Sequence, residues 1–177
     1  MSRRKNDELA VVALLVLPLL LLFVVLRGLW LLGCCVLVYY RSRDPAYRER
    51  QCAVLKSVNI AALSPVAFEH HCAAVLKTQG WMCKMTRTSG DFGVDVIAEC
   101  QSVRVVIQVK KWQSPVNLSA VQEVAAGAPM YKAAVAAVVS VSGYAPSAVR
   151  LARANRVLLL SYEDLFDFTR QVPSSLR

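Results

Sequence analysis

The sequence predicts an α/β domain of three layers, helices on both sides of a mixed central sheet, preceded by a membrane-embedded apolar segment. Three observations carry this. Residues 94–110 hold two runs that alternate apolar and polar residues around a short polar break, the pattern of an antiparallel strand pair. Residues 133–142 and 156–161, AAVAAVVSVS and RVLLLS, are Val- and Leu-rich runs separated by a helical pattern, as expected of parallel strands buried on both faces. Residues 9–40 hold a single charge, Arg27.

The apolar segment is too long and too apolar for a secretory signal, and Tyr39 and Tyr40 run straight into Arg41 with no small-residue cleavage site. A straight helix through residues 9–40 would measure about 48 Å, against a hydrocarbon core of about 30 Å. Arg27 and Gly28 divide the run into 9–26 and 28–40, so a helical hairpin turning there is the favoured reading, and a single tilted span with Arg27 snorkelling is the other. Arg3, Arg4 and Lys5 precede the segment, and Arg41, Arg43, Arg48 and Arg50 follow it. Positive charge favours the cytoplasmic side, so either topology leaves the rest of the chain in the cytoplasm. Residues 1–8 are then a basic tail, 41–60 a basic linker that frays or lies on lipid headgroups, 61–170 the folded domain and 171–177 a C-terminal tail. The formal net charge of +9 makes a polyanion or an anionic surface a natural partner.

Within the domain, Ser64 and Pro65 read as the N-cap and first position of a helix whose inner face carries Phe68, Cys72, Val75 and Leu76, with Gly80 as its C-terminal cap. Glu69 borders that stripe. Residues 81–88 read as the first strand and SGDFG, 89–93, as a loop; 94–99 and 103–112 are the next two strands. A helix begins near Leu118, capped by Asn117 or Ser119. The fourth strand, 133–142, is broken by Gly143; a helix over 145–155 has Pro146 early and Asn155 as a left-handed cap. After the fifth strand, Ser161 and Asp164 form a capping box for a final helix. An antiparallel meander followed by a right-handed βαβ unit is the topology these elements favour. The six cysteines show no metal-ligand spacing and read as free thiols, and the adjacent His70 and His71 make a poor chelate.

A hairpin turning at Gln101 and Ser102 places Glu99 opposite Arg104, Ile97 opposite Val106 and Asp95 opposite Gln108, with Lys110 next on that face. Val94, Val96, Ala98, Val103, Val105, Ile107 and Val109 take the other face, and the polar row points away from the main core. An acid, an amide oxygen and a lysine converging there have the chemistry of a hard-cation site. Mg²⁺ takes oxygen ligands, and a lysine can orient water or neutralise charge on a phosphoryl group. A solvated strand face with an Asp95–Lys110 ion pair accounts for the same pattern.

Glu69, SGDFGVDVIA, VVIQVKKW and the following AVQE together resemble the catalytic domain of Mrr-type restriction endonucleases, of the PD-(D/E)xK superfamily, over residues 61–168. The resemblance implies a restriction-endonuclease-like fold and a Mg²⁺-dependent endodeoxyribonuclease acting on foreign or modified DNA; joined to the apolar segment, it implies an enzyme anchored at the inner membrane of a bacterial cell with its nuclease domain facing the cytoplasm. It implies Asp95 as the main metal ligand, Gln108 and the backbone carbonyl of Val109 as the others, and Lys110 as the group that positions or activates water. Glu69 would hold a water of the metal's shell, and Gln122 would contact the site or a phosphate. Gln108 departs from the acid usual in the superfamily, which removes one negative charge and keeps a second reading open: a catalytically inactive DNA-binding or tethering module.

Lys84, Arg87, Lys111, Arg150 and Arg153 are further candidates for phosphate contacts, with Lys132 beside them. Trp112 could pack under the site or touch a base. DNA and the lipid bilayer are the expected partners, with a homodimer as a further option.

Overall fold

The computed structural model describes the backbone of residues 2–86 and 92–173, and the side chains of 20–41, 44–86 and 92–173. Arg87 and most of the SGDFG loop lie outside the described residues. The chain divides into two compact units, residues 1–47 and 48–177.

The first unit is dominated by helix α1 (Ser2–Arg43), which runs through Arg27 and Gly28 without a turn. The expected hairpin is not formed. A lone glycine costs a helix only about 1 kcal/mol relative to alanine, and the long run of Leu and Val on either side propagates through it. Leu20–Arg41, with a mean hydropathy of 2.5, is long and apolar enough to cross a membrane.

The basic linker, expected to fray or lie on lipid headgroups, is helical over much of its length. Asp44 accepts from the Ala46 N–H at 3.0 Å, ahead of Pro45, and opens α2 (Pro45–Lys56). Leu55, Ile60 and Leu63 pack on the domain core, so the folded domain begins before residue 61. Ser64 caps α3 (Pro65–Thr78), accepting from the Ala67 N–H at 3.2 Å. Gly80, at φ +90°, ends it, with its own N–H on the Lys77 carbonyl and the Trp81 N–H on that of Leu76.

The sheet has five strands in the order β1-β2-β3-β4-β5: Met82–Met85, Val96–Cys100, Val103–Lys110, Val135–Ser140 and Val157–Ser161. β1, β2 and β3 are antiparallel, and β3, β4 and β5 are parallel, joined by α4 (Leu118–Gly127) and α5 (Pro146–Asn155). β4 is buried throughout, while β5 lies at the sheet edge with Leu158 and Leu159 only half-buried. Arg156, not Asn155, takes the left-handed position after α5, at φ +55°. The Ser161–Asp164 box forms reciprocally, at 2.7 and 3.2 Å, but opens a 3-10 turn (Glu163–Asp167) that leads into α6 (Phe168–Gln171).

Two apolar cores flank the sheet. α3 covers Val96, Ala98, Val105, Ile107 and Val109, and α4 with α5 covers Val94, Val106, Ala136 and Val138. This is the α/β/α sandwich the pattern predicts. The expectation of one apolar and one solvated hairpin face is corrected: both faces are buried over β3, and Val94 is not on the face of Val96.

Candidate active site

The hairpin register holds along β2, with Val96 opposite Ile107 and Glu99 opposite Arg104, whose Nε lies 2.5 Å from the carboxylate. It changes at Asp95. Residues two apart on a regular strand share a face, yet Val94 and Val96 do not. The Asp95 N–H donates at 3.0 Å to the carbonyl of Ile107, the residue already paired with Val96. Two residues therefore oppose one, a β-bulge, the device that re-aims a side chain beside many active sites. The next amide along β3, that of Val109, donates to Asp95 Oδ2 at 2.6 Å, so the carboxylate stands in for a missing ladder rung. Thr86 holds the bulge from β1: its N–H donates to the Asp95 carbonyl at 3.1 Å and its hydroxyl to those of Val94 and Asp95.

Asp95, Gln108 and Lys110 line one cleft of about 500 Å³, with Phe92, Gly93, Glu123 and Ala126. Gln108 follows Val106 on the α4 side of β3 and is 1% exposed. Its Nε2 donates to Glu123 Oε2 at 2.6 Å, while its Oε1 is buried with no hydrogen-bond partner among the described residues. Lys110 ends β3 with its Nζ 5.5 Å from the centre of the Trp112 ring. Trp112 is exposed on a neighbouring groove with Ile60, Ala61 and Val141, so it lies beside the lysine rather than under the cleft.

The oxygen donors suit a hard cation. Asp95 brings a carboxylate, Gln108 an amide oxygen that no other described residue satisfies, and Glu123 a second carboxylate at the rim; among the described residues no thiol or imidazole lines the cleft. Among the described residues no three His, Cys, Asp or Glu side chains gather into a metal cluster. Any cation held here thus leans on amide or backbone oxygen as well as carboxylate.

Glu69 does not line the cleft. It lies on α3, one turn before Cys72, and burial pushes the Cys72 thiol far up with Glu69 and Asp95 both adding to the shift. Gln122 is exposed on the outer side of α4; its neighbour Glu123, which the sequence reading passed over, is the residue that reaches the site. The signal was present. Ala120, Val121, Val124 and Gly127 form the buried stripe of α4, and Glu123 stands three residues after the first and four before the last, on the edge of that stripe.

Lys111 is already occupied: its ammonium donates to the carbonyl of Ala61 at 2.9 Å and to that of Leu63, tying the segment before α3 to the end of β3. Two of the ammonium's three donors are used in this way, so any phosphate contact from Lys111 falls to the third. Arg150 and Arg153 are exposed on α5 and are not among the residues lining the cleft. Lys84 and Lys132 share a second groove with Arg104, Met82 and Tyr131, over the uncovered part of β1 and β2.

A family model described as restriction endonuclease, Mrr_cat, matches residues 60–169. No curated protein matches. Among solved structures, a protein of unknown function designated AF1548 is similar at a TM-score of 0.51 and 14% identity, over 63% of this chain and 72% of that one. MspJI restriction endonuclease, solved in complex with a 27-mer oligonucleotide, matches at a TM-score of 0.43 and 23% identity over 71% of this chain and 30% of its own. The DNA modification-dependent restriction endonuclease AspBHI matches at 0.47 and 17% over 70% of this chain and 35% of its own. This chain thus spans about a third of the latter two.

Proposed function

This chain belongs to the Mrr-type restriction endonuclease family, a family of endodeoxyribonucleases, and on that premise we propose that it is a membrane-anchored, Mg²⁺-dependent DNA endonuclease that restricts foreign or modified DNA. The observation that carries the cation reading is the buried Gln108 Oε1, without a partner among the described residues in a cleft it shares with Asp95 and Lys110. A buried polar atom without a partner costs about 1–3 kcal/mol, and a bound cation relieves that cost.

Asp95, Gln108 and the backbone carbonyl of Val109 would hold the ion. When bound, it supplies positive charge beside a phosphoryl oxygen and acidifies water. The chain's own groups do the rest. The bulge fixes the Asp95 carboxylate through the Val109 N–H, so little reorganisation is needed on binding. Lys110 brings an ammonium to the cleft rim, where it orients the attacking water or neutralises charge developing on the phosphate. Glu69 supports the site from α3. Lys84, with Lys132, offers phosphate contacts in the groove that lies on the same hairpin.

The Leu20–Arg41 stretch supports a single membrane span, and the basic flank after it supports a cytoplasmic domain at the bacterial inner membrane, where incoming DNA is met. The amide at residue 108 favours one competing reading, a DNA-binding module without catalysis. Incubating the detergent-solubilised full chain with methylated and unmethylated DNA, with and without Mg²⁺, separates the two. Mg²⁺-dependent cleavage supports the nuclease; salt-sensitive binding without cleavage on any substrate supports the module.

A further inference from the structure

We propose that Glu123 is a positioning residue for the cation site: its carboxylate grips the nitrogen end of the Gln108 amide, so that the oxygen end is the one presented as a ligand. This rests on the cation reading above and adds to it the reason that a glutamine can serve at residue 108.

A carboxamide has two ends of nearly equal shape and opposite polarity. Its oxygen attracts a cation and its NH₂ repels one, so an amide ligand works only if something fixes which end faces the ion. An ionised carboxylate only accepts hydrogen bonds, and it selects the NH₂ end without ambiguity. Glu123 Oε2 does this at 2.6 Å from Gln108 Nε2, within the range of charge-assisted bonds. The reversed amide would set two oxygens against each other. With the nitrogen end held, Oε1 is left buried and unpartnered in a residue 1% exposed.

The backbone is shaped around this pair. A Cβ on Gly93 would fall 2.5 Å from Glu123 Cβ and 3.1 Å from Gln108 Nε2, and Gly93 adopts φ +72°, a conformation that side chains disfavour. Glycine there lets the loop close over the Gln108–Glu123 bond and keeps α4 near β3.

The arrangement also answers the missing charge. A carboxylate bonded to the far side of a neutral ligand polarises it and strengthens its donor atom, as a carboxylate does for a metal-bound imidazole. Glu123 returns, one bond removed, part of the negative charge that a glutamate at 108 would have brought directly.

Mn²⁺ is the probe, since the free ion can be counted by electron paramagnetic resonance in a titration of the detergent-solubilised full chain. Glu123→Ala is expected to weaken Mn²⁺ binding by about 10- to 100-fold, the usual effect of removing an outer-shell partner. Glu123→Ala also strips the buried Gln108 Nε2 of its partner, so the denaturation midpoint should fall, and Mn²⁺ is titrated where circular dichroism shows the variant folded. Gln108→Glu alone sets two carboxylates at hydrogen-bond distance, which cannot both ionise at ease; its Mn²⁺ affinity should become steeply pH-dependent. The exchanged pair, Gln108→Glu with Glu123→Gln, re-forms the bond with the amide now donating from 123, and should recover both Mn²⁺ affinity and cleavage. A merely structural role for Glu123 does not predict that rescue. Wild-type Mn²⁺ affinity in Glu123→Ala, or an exchanged pair no better than Gln108→Glu, overturns the inference while leaving the nuclease reading in place. Failure of wild type itself to take up Mn²⁺ overturns both.

Discussion

Val94 and Val96 pack on opposite faces of the sheet, Val94 with Val121 and Val124 of α4 and Val96 with the residues that α3 covers. The intervening Asp95 is the extra residue of the bulge, and the strand forgoes a regular rung there. What it gains is a carboxylate turned along the sheet, satisfied on one oxygen by the Val109 N–H and still lining the cleft.

That dual role separates two substitutions. Asp95→Asn keeps an oxygen for the Val109 N–H and should unfold within about 1 kcal/mol of wild type, yet lose cleavage with the charge. Asp95→Ala removes the acceptor as well and should lose about 1–3 kcal/mol in denaturant titration, the cost of an unpartnered buried amide. Cleavage by either variant would remove Asp95 from the metal site, and equal stability of the two would remove the rung.

Lys110→Ala should lower kcat by roughly two to four orders of magnitude, the range of a positioned acid–base group. DNA affinity should change little, because many phosphate contacts share it. The check is single-turnover cleavage beside a gel-shift titration at fixed salt. A variant that cleaves as fast as wild type would take Lys110 out of the chemistry.

The residues of the cleft were legible because a strand's two-residue period is rigid: once Glu99 was set opposite Arg104, Gln108 and Lys110 fell into place on one face. The bulge was not legible. Its excess residue changes no letter of the apolar alternation, and only the long-range packing of Val94 on α4 shows it. Glu123 was missed for a related reason: an acid on the edge of a helix stripe looks like any solvated one until the sheet beneath is known to carry Gln108. The break at Arg27 and Gly28 was over-read, since glycine weakens a helix without ending it. The tie made by Lys111 was not legible either, because strand alternation gives the side of a residue and not its partners, and the carbonyls of Ala61 and Leu63 come from about fifty positions away.

Lys111→Met keeps the aliphatic stem and deletes the ammonium that holds those two carbonyls. Hydrogen bonds to a charged group contribute about 1.5–3 kcal/mol, so the denaturant midpoint should fall with an unchanged m-value. The slope of log affinity for DNA against log salt should stay as in wild type. A slope that falls by one phosphate contact, with stability intact, would return Lys111 to the DNA-binding surface.

The continuous α1 changes the expected topology. The 22 residues from Leu20 to Arg41 make a helix of about 33 Å, which matches a hydrocarbon core of about 30 Å, so one span suffices. The flank at Arg41, Arg43, Arg48 and Arg50 outweighs that at Arg3, Arg4 and Lys5 and should stay in the cytoplasm, with residue 2 outside. The test places a single cysteine, Ser2→Cys or Ser42→Cys, in a chain whose six native cysteines are replaced by alanine. A membrane-impermeant maleimide applied to intact cells should label residue 2 and spare residue 42, which reacts only after the cells are opened. Labelling of neither from outside would restore the hairpin. Labelling of residue 42 from outside would put the nuclease domain on the wrong side of the membrane to meet cytoplasmic DNA.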